Sequence, residues 1–172
     1  DFEQTRKATH AIAVHNGTVY LRFGRPAVPN FTSDLPFEIG KGILLQEGAD
    51  VTLVATGHLV WEALEAAKSL HKQGISAEVI NIHTIKPLDD ALILQSAKKT
   101  SAVVSCEEHN YLGGLGESIA RVLAEQHPTP QAFVATQDTF GESGTPAQLM
   151  EKYGLNASAI AKKAKEVMAK KA

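Results

Sequence analysis

Apolar and polar positions along this 172-residue chain follow two alternating periods. VTLVA (Val51–Ala55) is an unbroken run of strand formers that stops at Gly57. From about His58 to Gln73 the apolar residues Val60, Ala63, Leu64, Ala67 and Leu70 recur at helical spacing, and Gly74 ends that helix. AEVINI then forms a second strand. The alternation continues with a helix from about Leu88 to Lys98, a strand at AVVSC, a helix from about Gly116 to Gln126, and a strand at AFVAT. Strands that are apolar throughout are buried on both faces, as in parallel sheets covered by helices. The pattern therefore predicts an α/β fold: three layers, α/β/α, around a mostly parallel five-stranded sheet with right-handed crossovers.

The flanking segments are less regular. Residues 2–15 read as a helix with Ala8, Ile12 and Ala13 on one face, ended by Asn16-Gly17. TVYLRFG reads as a strand with Tyr20 and Arg22 on one face and Leu21 and Phe23 on the other. RPAVPNFTSDLP holds three of the seven prolines and has no period, which suits an irregular linker at a domain boundary. FEIGKGILLQEG suggests a short hairpin or an edge strand turning at Gly40-Lys41-Gly42, and supplies the fifth strand. Toward the end, Thr145-Pro146 opens a helix, Gly154 closes it, and Asn156 caps the last one. The chain opens on Asp1 within a charged, helix-prone stretch, which reads as the tail of something larger, so the first 25 residues are expected to pack loosely.

With 44% apolar residues the chain can build one good-sized core. A formal charge of −2 gives no electrostatic reason to bind nucleic acid or an anionic membrane. The terminal lysines (Lys162, Lys163, Lys165, Lys170, Lys171) share a helix with Ile160, Ala164, Val167 and Met168, the pattern of a solvated helix face. Cys106 is the single cysteine and ends an apolar run, so a small buried hydrophobe is expected rather than a nucleophile. No run reaches membrane-spanning length and no signal-peptide pattern opens the chain, so the expected location is cytoplasmic.

Ligands of open α/β sheets gather beyond the carboxyl ends of the strands. Those ends here carry Thr56-Gly57-His58, Asn81 with His83, Glu107-Glu108-His109-Asn110, and Gln137-Asp138. They fit an active site, and equally the polarity that any loop at a strand end requires. In EEHNYLGGLGES, Gly113, Gly114 and Gly116 precede a helix and leave its amides open, either to an anion or to a contact where the loop folds back on a neighbour. A metal site at Glu107, Glu108 and His109 is disfavoured, since consecutive side chains of an extended chain point to opposite sides. Ser143 lies in G-E-S-G-T, one residue out of register with a nucleophile elbow. With Thr145 it is better placed to bond backbone at a helix start. Trp61 beside Val60 suggests a partly buried packing edge.

The residues themselves go further. ATGHLVWEALEAA, VINIHTIKPLD, EEHNYLGGLGES, and DTFGESG with EKYGL follow one another, and in this order they resemble the C-terminal domain of the thiamine-diphosphate-dependent transketolase family. The preceding YLRFGRP resembles the last strand of that family's pyrimidine-binding domain. The resemblance divides the chain into residues 1–25, the end of a pyrimidine-binding domain; 26–36, a linker; and 37–172, the transketolase C-terminal domain. It implies the C-terminal portion of a cytoplasmic, dimeric transferase of the pentose phosphate pathway, moving a two-carbon ketol unit between sugar phosphates. Thiamine diphosphate and magnesium serve the complete enzyme, and none is expected on this chain, which lacks catalytic, cofactor-binding and metal residues and is inactive alone. Its partners would be the remainder of the transketolase and a second copy, with no nucleic acid and no membrane. The resemblance assigns Arg25 to the substrate's terminal phosphate and leaves Glu108, His109, Tyr111, Gly113 and Gly114 as interface candidates. Two alternatives stand beside it: a free-standing module holding an anionic regulator at the Gly113–Gly116 helix start, and the equivalent domain of a deoxyxylulose-phosphate synthase or a 2-oxo-acid dehydrogenase beta subunit.

Overall fold

The structure, a computed structural model, describes residues 1–171. Five strands form one sheet: β1 (Ile43–Gln46), β2 (Val51–Ala55), β3 (Ala77–Asn81), β4 (Val103–Asn110) and β5 (Gln131–Thr136), in the order β1-β3-β2-β4-β5. All neighbours are parallel except β1, an antiparallel edge strand on β3. The helices are α1 (Phe2–Ala13), α2 (Leu59–His71), α3 (Asp90–Thr100), α4 (Leu115–Gln126), α5 (Pro146–Lys152) and α6 (Ala157–Met168).

The pleat sorts the apolar residues into two cores. Val51, Leu53 and Ala55 of β2 meet Ala63, Ala67 and Leu70 of α2 and Ile160, Ala164 and Val167 of α6. On the opposite face Val54, Ile80 and Ile82 meet Ile93 and Ala97 of α3 and Leu115 and Ile119 of α4. The three-layer expectation holds. Each of the fully buried leucine and isoleucine side chains stabilises the fold by roughly 1.5–3 kcal/mol relative to exposure. Two expected caps are present: Thr145 forms a capping box with Gln148, and Asn156 accepts the amide of Ala159. No helix of the described residues is long and apolar enough to cross a membrane.

Three expectations are corrected. The polar EEHN stretch is not a loop but the end of β4, which runs on to Asn110 and pairs there with Thr136 of β5. TVYLRFG has strand-like alternation yet forms no strand, because both edges of the sheet lie elsewhere and its backbone finds no ladder to join. Residues 18–25 instead run as irregular, mostly exposed chain, with Tyr20 87% and Phe23 67% accessible. Finally, the first residues do not all pack loosely. The Asp1 carboxylate caps α1 and accepts the amides of Phe31 and Thr32 at 2.7 and 2.8 Å. The Lys7 ammonium donates to the carbonyls of Thr32, Ser33 and Leu35. Gln4 Oε1 accepts from Asn81 Nδ2 at 3.0 Å, which ties α1 to the end of β3. Of the expected α1 face only Ala8 is fully buried, while Ala13 is exposed.

A polar cluster sits at the opposite, amino end of the sheet. Glu78 is fully buried, pairs with Lys99, and accepts from the Thr52 hydroxyl at 3.3 Å; Thr52 in turn bonds Thr100 at 2.7 Å. Lys99 also reaches Glu47 at 2.8 Å, and its pKa is raised by the hydrogen bonds to Glu47 and Glu78.

Candidate functional site at the carboxyl edge of the sheet

Strand order reverses at β2, with β3 on one side and β4 on the other. At such a switch point the connecting chains diverge to opposite faces and leave a crevice beyond the carboxyl ends. The β2 end delivers His58, and the β4 end delivers Glu107, Glu108 and His109.

Alternation along β4 sends the three β4 side chains to different destinations. Glu107 turns toward α4, where its two oxygens accept the amides of Leu115 and Gly116 at 2.8 Å each. Glu108 turns toward α2 and places Oε2 3.4 Å from His58 Nδ1. His109 Nε2 lies 2.8 Å from Arg22 Nη1. A guanidinium only donates, so Nε2 must carry the lone pair and the ring proton must sit on Nδ1. Burial, with the Arg22 charge added, holds the His109 pKa below its ordinary value and so favours the neutral ring.

The amide pair at the start of α4 is therefore filled by the chain's own carboxylate. A carboxylate at a helix N-terminus satisfies orphan donors and complements the helix dipole. The regulator-binding alternative loses its site for this reason: an anion entering there would have to displace a buried Glu107. Of the two readings of the glycine loop, the fold-back contact is correct. Gly114 leaves room for that carboxylate, and Gly113 holds a φ of +75° that side chains rarely adopt.

The other interface candidates lie on the same edge. Tyr111 donates its amide to the Thr136 carbonyl at 3.0 Å, Asn110 Nδ2 reaches Asp138 Oδ1 at 2.8 Å, and Leu112 is half exposed. These bonds tie the loops after β4 and β5 together, and on the second of them Phe140 stands 98% accessible. Arg25 is exposed, and none of the ion pairs among the described residues involves it.

Other candidates resolve into structure. Cys106 is fully buried, and burial raises its thiol pKa far beyond the physiological range. Trp61 is half buried, stacks on Phe31 with ring centres 6.1 Å apart, and carries Lys68 over its face. Ser143 is exposed. His83 stacks on Phe37 at 4.3 Å and contacts Thr84 through Nδ1; its Nε2 is buried without a partner. Burial lowers its pKa to about 4. Sequence reasoning places His58, Glu107, Glu108 and His109 at this edge but misses Arg22, whose role depends on a fold that crosses 87 residues of separation.

Among the described residues no three His, Cys, Asp or Glu side chains converge as a metal site, and the α4 amides that could face a diphosphate are taken by Glu107.

Comparisons with known proteins identify the family of this fold. Residues 40–160 match the family model described as the transketolase C-terminal domain. The chain is 47% identical over 172 residues to a 6-deoxy-6-sulfo-D-fructose transketolase subunit of Clostridium sp. (strain MSTE9), covering 99% of this chain and 53% of that protein. It is 34% identical over 172 residues to an apulose-4-phosphate transketolase subunit of Phocaeicola vulgatus, covering 99% and 55%. A solved structure, described as a split gene transketolase, inactive beta4 tetramer, superposes with a TM-score of 0.96 at 45% identity, covering all of this chain and 57% of that one. The chain thus spans about half the length of these relatives. A family match over most of the chain, on a fold that superposes throughout, is decisive, and the chain belongs to the transketolase family, with the family's C-terminal domain as its main body.

Proposed function

We propose that this chain is the C-terminal portion of a transketolase that transfers a two-carbon ketol unit between sugars bearing a terminal anion. Residues 1–25 close a pyrimidine-binding domain, 26–36 link it, and 37–172 form the C-terminal domain. Thiamine diphosphate and magnesium are held by the rest of the enzyme, and the chain alone is inactive. Its partners are that remainder, one polypeptide with it or a separate subunit, and a second copy, joined in a dimer through the edge that carries Glu108, His109, Tyr111, Gly113 and Gly114. The setting is the cytoplasm.

The observation that carries this reading is Arg25. Its guanidinium is exposed and, among the described residues, pairs with no carboxylate; it stands just beyond Gly24 and before Pro26, which stiffens the exit. A planar guanidinium so placed can take a phosphate or a sulfonate in bidentate fashion. The named substrates of the relatives include a sulfo-sugar and a sugar phosphate, which agrees with a site for a terminal anion rather than for one sugar. The pentose phosphate pathway is one setting for such an enzyme, and a sulfo-sugar or apulose route is another.

The test is ketol transfer by the complete enzyme. Arg25→Ala is expected to raise KM about tenfold or more for a phosphorylated donor and to leave an unphosphorylated donor within about twofold, the loss of one charged hydrogen-bonding contact. Equal losses for both donors would assign Arg25 to structure.

A further inference from the structure

The segment that carries Arg25 has almost nothing of its own to hold it. Residues 18–25 belong to no helix or strand. Among the described residues, the one hydrogen bond made by residues 16–30 is that from Arg22 to His109. A second restraint is steric. A Cβ on Gly24 would come within 2.5 Å of Cε1 and 2.7 Å of Nε2 of His58, so the imidazole lies directly against the backbone one residue before Arg25. His58 is in turn held by Glu108, 3.4 Å from its Nδ1.

We propose that His58, Glu108 and His109 are positioning residues for Arg25. They seat the Arg22–Arg25 segment on the carboxyl edge of the sheet, and so the C-terminal domain sets where the substrate's terminal anion is held without touching it. This rests on the reading in which Arg25 takes that anion.

The two restraints act at Arg22 and Gly24, both just before the arginine. His109 fixes Arg22 through a rigid guanidinium fork, and the His58 ring supports Gly24. His109 lies on β4, and His58 follows the end of β2 as the first residue before α2; Ala55 pairs with Cys106 three residues before each of them. The paired ends of β2 and β4 thus give both anchors a common base in the sheet. A loop held on such a scaffold keeps its binding group within the tolerance that anion recognition needs. The neutral His109 required by the Arg22 contact is the form that its surroundings favour. Gly24 contributes by having no side chain, since any Cβ would push the segment off the imidazole.

The complete enzyme separates this proposal from the one beneath it. KM and kcat are measured for a phosphorylated ketose donor and for its unphosphorylated counterpart in His109→Ala, Gly24→Ala, Glu108→Gln and Arg25→Ala. The expected result is a rise of about tenfold in KM for the phosphorylated donor in His109→Ala and Gly24→Ala, with kcat and the unphosphorylated donor within about twofold. Glu108→Gln gives a smaller rise in the same sense. His109→Gln, whose amide oxygen can still accept from Arg22, recovers most of the loss. If Arg25→Ala is selective for the phosphorylated donor but both His109→Ala and Gly24→Ala leave its KM unchanged, the positioning role is refuted while the anion site stands. Equal losses for both donors in these variants would also overturn it. If Arg25→Ala shows no selectivity, the anion reading itself fails.

Discussion

The carboxylate of Glu107 occupies the space that a side chain on Gly114 would need. A Cβ built on Gly114 overlaps the Glu107 carboxyl group, which is held there by the amides of Leu115 and Gly116. Gly114 itself has extended backbone, so its requirement is purely one of space. Gly114→Ala should therefore destabilise the fold by about 1–3 kcal/mol through overpacking. Denaturant unfolding checks it, and the cost should shrink in a Glu107→Ala background, where the obstacle is gone. Its neighbour Gly113 has open space but a φ of +75°. Gly113→Ala should cost about 1–2 kcal/mol from the backbone alone, with no dependence on Glu107.

Glu78 and Lys99 give a second prediction. Glu78 is buried on a central strand, and Lys99 supplies its opposite charge from the end of α3. Lys99→Met should strand that carboxylate and destabilise the protein by about 3 kcal/mol. The double variant Lys99→Met/Glu78→Gln should recover most of the loss, because a neutral amide costs far less to bury than an unpaired charge. Two equal and additive losses in equilibrium unfolding would show that the pair is uncoupled.

The contrast between these sites shows what sequence can reveal. VTLVA, AEVIN and AVVSC are legible as strands because burial on both faces demands apolar runs, and the caps at Thr145 and Asn156 are legible because their partners lie three residues on. Glu107 as the cap of α4 is not legible, since its partners are eight and nine residues away and depend on how the loop folds back. Alternation in TVYLRFG predicts a strand because period two describes the residues and not a partner, and no strand of the described residues pairs with it. The two anchors of Arg25 are legible as polar strand ends, but only the parallel register of β2 and β4 brings His58 and His109 to one place.

His83 makes a pH prediction. Burial against Phe37 lowers its pKa from an ordinary value of 6.5 to about 4, so the folded protein favours the neutral ring. Above the ordinary value both folded and unfolded chains hold His83 neutral, and its contribution is fully present. As pH falls below that value the unfolded chain takes up the proton first, and stability is lost until the folded ring also protonates near pH 4. Between about pH 6.5 and pH 4 the thermal midpoint of His83→Gln should fall less steeply than that of the parent. Parallel slopes would mean that His83 titrates without coupling to the fold.

The last prediction concerns assembly. Leu112, about half exposed, and Phe140, almost wholly exposed, stand on the loops after β4 and β5, which Asn110–Asp138 and Tyr111–Thr136 tie together. Large apolar side chains exposed on one edge are costly to leave in water, and they mark contact surfaces when the loops that carry them are ordered. Bonds across both loops provide that order here, so little conformational entropy remains to be lost on association. The edge should therefore contribute to association of the chain with a second copy, in the two-fold arrangement that most homo-oligomers adopt. Leu112→Ser/Phe140→Ser should weaken that association at least about tenfold in sedimentation velocity, as expected for removing buried apolar anchors. Tyr111→Ser should have a smaller effect, because the Tyr111 contact to Thr136 uses its backbone amide and survives the substitution. A parent that sediments as a monomer at all concentrations, or an unchanged assembly in the double variant, would move the interface to another face.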